Sequence, residues 1–134
     1  LTEVVQKGLD NVQDNGGGTN TAAGIRLARE AVFRNGSRPS STKVALVITD
    51  GCSNSALNTA EEATLAKEEG IVLFALGVGS ICGNELEAMA SNPNCTHVFY
   101  LTGFSDIDSL IYEIQKAACR GKIIHFGPNI HILL

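Results

Sequence analysis

Tryptophan is absent from this chain, methionine occurs once, and only 5% of the residues are aromatic. A core short of large rings must be built from Val, Ile, Leu and Ala, side chains that suit helices packed on a parallel sheet. No apolar run approaches the roughly 20 residues that a helix needs to cross a bilayer, which excludes membrane insertion by such a helix. A basic excess is missing too: 10 Lys and Arg stand against 14 Asp and Glu, interspersed, leaving no footprint for nucleic acid or for a basic membrane face. With three prolines and no low-complexity tract, the 134 residues read as one domain or part of one, 44% hydrophobic and long enough for a core. The chain opens on Leu1 without a signal peptide, so its natural beginning is expected to lie upstream.

Several catalytic signatures are missing as well. Cys52, Cys82, Cys95 and Cys119 form no C-x-x-C pair, which argues against zinc ribbons and thioredoxin-like sites. An even, dispersed set suits two disulfides in a secreted domain, with buried free thiols in a cytosolic protein as the alternative. The sequons Asn35-Gly36-Ser37 and Asn94-Cys95-Thr96 favour the extracellular side. Gly16–Thr21 lacks the Gly-Lys-Ser/Thr of a phosphate loop, and Gly77-Val78-Gly79-x-x-x-Gly83 lacks the full dinucleotide fingerprint. Of the histidines, His97 opens a strand and reads as a partly buried structural residue, while His125 and His131 lie in the tail. No nucleophile is oriented by a histidine, so no enzyme is expected.

What the chain does contain is a regular alternation of elements. Residues 1–14 read as a helix with Leu1, Val5, Leu9 and Val12 on one stripe, stopped by Asn15–Gly18. A second helix is expected over Ala22–Arg34 with Ile25, Ala28 and Val32 inward, followed by the polar surface loop Asn35–Thr42. Val44–Ile48 and Ile71–Leu76 are unbroken apolar runs without alternation, as in parallel strands covered on both faces. The alanine-rich helix Thr59–Glu69 between them, stopped by Gly70, completes a βαβ unit. A short helix around Glu85–Ala90, a strand Val98–Leu101 and a last helix from Ser105 to near Cys119 follow. That helix would bury Ile107, Leu110, Ile111 and Ile114, with Ser105 and Asp108 as a capping pair.

Ligands in open α/β sheets sit beyond the carboxyl ends of the strands. Two segments reach that rim: Gly16-Gly17-Gly18-Thr19-Asn20-Thr21 before a helix, and Val47-Ile48-Thr49-Asp50-Gly51-Cys52-Ser53 at a strand end. A hydroxyl and a carboxylate there are hard oxygen donors of the kind Mg²⁺ prefers. Each has a plainer reading alone, since Asp-Gly after a strand is a common turn and a glycine-rich segment is common punctuation.

Taken together and in this order, they resemble a von Willebrand factor type A domain, whose pattern is Gly-Gly-x-Thr-x-Thr, a helix, a surface loop, and a hydrophobic strand ending Thr-Asp-Gly. Ala75-Leu76-Gly77-Val78-Gly79, Glu85-Leu86 with Ala90-Ser91, and His97-Val98-Phe99 extend the resemblance over residues 1–120. The tail 121–134 lies outside it and reads as a linker, a remnant or an added strand. The resemblance implies a three-layer, Rossmann-like α/β fold with a mainly parallel sheet. It also implies a secreted, non-enzymatic adhesion or matrix-assembly module of the matrilin-like or collagen-associated kind. Its partner would be an extracellular matrix or cell-surface protein, collagen-like in one reading, with self-association a further possibility.

In that family Mg²⁺ or Mn²⁺ is held at a metal-ion-dependent adhesion site and a partner's carboxylate fills an open coordination position. By resemblance, Thr19 and Asp50 are metal ligands, and Ser53, Gly18 and Gly51 support them, Ser53 as a donor that orients Asp50. The family's Asp-x-Ser-x-Ser loop and the first strands are missing here. The expected site is therefore incomplete, holding its cation only if that loop is supplied. The strand Val44–Ile48 is expected to expose an unpaired apolar edge. The alternatives are a metal-independent matrix module and an intracellular scaffold. Topology places Cys52 and Cys82 near the rim and Cys95 and Cys119 at the opposite end, predicting the pairs Cys52–Cys82 and Cys95–Cys119.

Overall fold

The computed structural model describes residues 3–13, 16–37, 40–106 and 130–133. The first helix, α1 (Glu3–Asp10), is shorter than the expected 1–14, and Val12 stands exposed beyond its end. Helix α2 (Thr21–Leu27) starts where the Asn20 side chain accepts the Ala23 N–H at 3.1 Å. It runs on through a π-helical segment, Ala28–Phe33, into α3 (Arg34–Gly36). The wider π turn shifts the inward face by about one residue. Phe33 and Arg29 are therefore buried, while Val32, expected inward, is only half-buried.

Strand β1 (Lys43–Thr49) pairs in parallel with β2 (Ile71–Val78) along its whole length, from Lys43 opposite Ile71 to Thr49 opposite Gly77. Between them α4 (Ala56–Glu68) begins three residues before the expected Thr59, because the Ser55 hydroxyl caps it by accepting the Asn58 N–H. Gly70 follows its end, as the sequence suggests. After β2 come α5 (Gly83–Met89), the short α6 (Asn94–His97), β3 (Val98–Leu101) and a 3-10 turn at Phe104–Asp106. Gly77 and Val78 belong to β2 itself, so that strand runs further towards the rim than its apolar run indicates. The helix expected from Ser105 lies, past Asp106, outside the described residues.

The sheet order is β3-β2-β1-β4, with all three pairings parallel. Strand β4 (Ile130–Leu133) comes from the tail and pairs with Val44–Val47 of β1. This corrects the expected bare edge at Val44–Ile48. The run Ile-His-Ile-Leu contains no proline, and its backbone satisfies N–H and C=O groups of β1 that would otherwise lack partners. One sheet face buries Ala45, Val47, Leu73 and Ala75 against Ile25 and Phe33, Ala63 and Ala66 of α4, and Leu86 and Met89 of α5. The other face carries Leu76 and Val78 with half-buried Leu46, Ile48, Phe99 and Leu101. There His97, half-buried, packs its ring 4.6 Å from that of Phe74.

Arg29 crosses from the π segment to α4, where Glu62 and Glu69 take its two terminal nitrogens at 3.0 and 2.8 Å. Arg26 also binds Glu62, and Arg34 also binds Glu69. Burial opposes the charge on Glu62, yet hydrogen bonds from Arg26 and Arg29 outweigh it and hold its carboxyl below the usual range. The hydrogen bond from Arg29 does the same for Glu69. This network fixes the helix that follows Thr19 to the helix that follows Asp50.

Candidate metal site

Two loops meet at the carboxyl rim of β1. The Asn54 N–H donates to the Thr19 carbonyl at 2.8 Å, joining the segment before α2 to the segment after β1. Gly18 permits this approach, since a Cβ there would lie 2.7 Å from the Asn54 side-chain oxygen. A cleft of about 220 Å³ opens beside the junction, lined by Thr19, Asn20 and Thr21 on one side and by Val47, Ile48 and Thr49 on the other.

The turn after β1 is closed by Thr49, whose hydroxyl donates to the Gly51 carbonyl at 2.9 Å and accepts the Gly51 N–H at 3.3 Å. That bracket leaves Asp50 exposed, with no hydrogen bond or ion pair to any described residue. The half-buried Thr19 hydroxyl likewise has no partner among the described residues. Both groups are free hard-oxygen donors on adjoining loops, the chemistry a small divalent cation takes. Among the described residues no three of His, Cys, Asp and Glu converge.

Ser53, expected to support Asp50, is itself held by side chains of α5 and α4. Its N–H donates to Glu85 Oε2 at 3.1 Å and its hydroxyl accepts from the Thr59 hydroxyl at 3.0 Å. Glu85 and Thr59 are both buried and draw Ser53 inward, because a buried carboxylate and hydroxyl demand partners. Cys52 is disulfide-bonded to Cys82 with their Cα atoms 5.3 Å apart, which ties the same loop to the start of α5.

Sequence reading missed Thr49, Asn54, Thr59 and Glu85. Thr49 had a signal, a hydroxyl directly before Asp-Gly, but Glu85 reads as an ordinary acid in the first turn of a helix. Away from the rim, Cys95 is exposed and has no disulfide partner among the described residues, while Cys119 lies outside them. Asn35 is exposed at the end of α3, its amide donating to the Glu30 carbonyl. Asn94 is half-buried at the start of α6, and its side-chain oxygen is enclosed without a partner among the described residues. No helix among the described residues is long and apolar enough to cross a membrane.

Comparison with known proteins gives a consistent result. The sequence model of the von Willebrand factor type A domain matches residues 2–113. Matrilin-1 of Homo sapiens is 38% identical over 104 residues, covering 76% of this chain and 21% of the relative. The collagen alpha-1(XXI) chain of Xenopus laevis is 43% identical over 108 residues, covering 79% and 11%. The chain thus spans about a fifth of the length of one curated relative and about a tenth of the other. Among solved structures, proximal thread matrix protein 1 from the mussel byssus, with a zinc-occupied MIDAS motif, superposes with a TM-score of 0.77 at 31% identity. That superposition covers 87% of this chain and 30% of the mussel chain.

Proposed function

This chain belongs to the von Willebrand factor type A domain family, and from that premise we propose that it is a non-enzymatic, extracellular adhesion or matrix-assembly module. In this reading it binds a matrix or cell-surface protein through a divalent cation that Asp50 and Thr19 hold together with the family's Asp-x-Ser-x-Ser loop. The observation that carries it is the pair of unpartnered oxygen donors on two loops joined by the Asn54–Thr19 backbone bond. Relatives named matrilin-1 and collagen alpha-1(XXI) chain support the matrix setting, and the mussel protein with its zinc-occupied site supports the cation. Mg²⁺ or Mn²⁺ would supply a Lewis-acidic centre that a partner's carboxylate can join. The chain's own part is to hold Asp50 outward at the Thr49 bracket and to keep the Thr19 segment joined to the loop that follows Asp50.

Asp50→Ala and Thr19→Ala test this directly. Mn²⁺ uptake and chelator-sensitive partner binding should both disappear, while circular dichroism stays that of the wild type because neither side chain has a partner to lose among the described residues. Chelator-sensitive binding that survives in Asp50→Ala would refute the assignment. That no three of His, Cys, Asp and Glu converge among the described residues favours a second reading, metal-independent matrix assembly, in which the wild-type protein binds its partner equally with and without chelator.

A further inference from the structure

Buried charges in this molecule fall into two kinds. Arg29 and Glu62 neutralise one another at 3.0 Å. Glu85 is also buried, 9% exposed, yet it forms no ion pair among the described residues. Its Oε2 accepts the Ser53 N–H, and its Oε1 is enclosed with no donor among the described residues. A side chain that served only to tie down the loop would need one acceptor, which a neutral amide supplies without the cost of burying a charge. A buried carboxylate with a vacant oxygen is stabilised by positive charge nearby, and in a low-dielectric surrounding that attraction acts beyond contact distance.

The placement of Glu85 points to where that charge would be. Two successive residues of the loop after Asp50 are fastened to the start of α5, Cys52 by its bond to Cys82 and Ser53 by Glu85. Two adjacent anchors fix the direction of the peptide that follows Asp50, where a single anchor would leave it free to swivel. We propose that Glu85 is a positioning residue of the metal site: it sets the Asp50 loop through Ser53 and lends its negative charge to the cation without touching it. This inference rests on the metal-site reading above.

The test is Mn²⁺ titration of the protein with its Asp-x-Ser-x-Ser loop supplied, as wild type, Glu85→Gln and Glu85→Asp, alongside thermal melting and amide hydrogen exchange at Ser53. Glu85→Gln keeps an acceptor for Ser53 but removes the charge, so Mn²⁺ affinity should fall about tenfold, the scale found for groups that support metal ligands. Melting and Ser53 exchange should stay near those of the wild type. Glu85→Asp keeps the charge and should retain more affinity than Glu85→Gln. Unchanged affinity in Glu85→Gln, or equal losses in the two variants, overturns the inference and leaves the metal site standing. A wild type that takes up no Mn²⁺ overturns the metal site itself and this inference with it.

Discussion

At Gly77 the β2 backbone lies against the side chains of Ile81 and Leu86, and a Cβ added there would run into both. Leu86 is almost completely buried, so it has little room to yield. Gly77→Ala should therefore destabilise the fold by about 1–3 kcal/mol, the usual cost of overpacking a core. Chemical denaturation would show it as a lowered midpoint with an unchanged slope, and a midpoint equal to the wild type's would contradict this account. Gly77 and Gly79 were visible in the sequence as a motif, but the reason for Gly77 was not. Ile81 folds back onto the strand only because α5 packs beside it. At the rim the contrast is similar: Asp50 and Thr19 stand out by their residue type and neighbours, whereas Glu85 gains its importance from a contact 32 positions away.

Among the elements, the helical run from Thr21 to Gly36 and helix α4 share the apolar core and are also joined by ionic contacts around Arg29. Hydrogen bonds that Arg29 donates to Glu69 and Glu62 raise its guanidinium further above its already high value, and the two carboxyls are lowered. Carboxyls lowered by folding stabilise the native state above their unfolded pKa and lose that contribution as pH falls through the folded value. The melting temperature should thus hold from neutral pH to about pH 5 and decline below about pH 4.5, close to the unfolded glutamate value. Glu62→Gln removes one partner of a buried cation and should cost about 3 kcal/mol at pH 7. The stability gap between this variant and the wild type should narrow towards pH 3. A gap of constant size across that range would show that Glu62 acts by shape and not by charge. Capping at Asn20 was foreseeable from residue type, but the π segment was not. It is set by the demand that Arg29 and Phe33 face α4 and the sheet together, which no helical period encodes.

For the molecule as a whole, the decisive pairing is that of β4 with β1. Strand β1 carries Val44, Ala45, Leu46 and Val47 along this edge, a segment prone to pair with other chains if left open. Ile132→Pro removes a backbone donor from β4, and its ring cannot be accommodated in a paired strand. The variant should self-associate on mild heating at concentrations where the wild type stays monodisperse, as read by light scattering. Identical scattering from the two would mean that β4 does not protect β1. Residues 121–134 offered no period from which to choose among a linker, a remnant and a strand, because a four-residue strand takes its meaning from the edge it meets.

By itself the sequence determined where the strands β1, β2 and β3 run, which residues begin α2 and end α4, and which loops carry hard oxygen donors. These follow from local chemistry: apolar runs, caps and turn residues act over a few positions. Tertiary structure alone decided that Ser53 bonds to Glu85, that Arg29 is buried between two glutamates, and that the tail covers β1. Each of those rests on a buried polar group finding its partner across the fold. Burial makes such partners obligatory, and it arises only when the whole chain has packed.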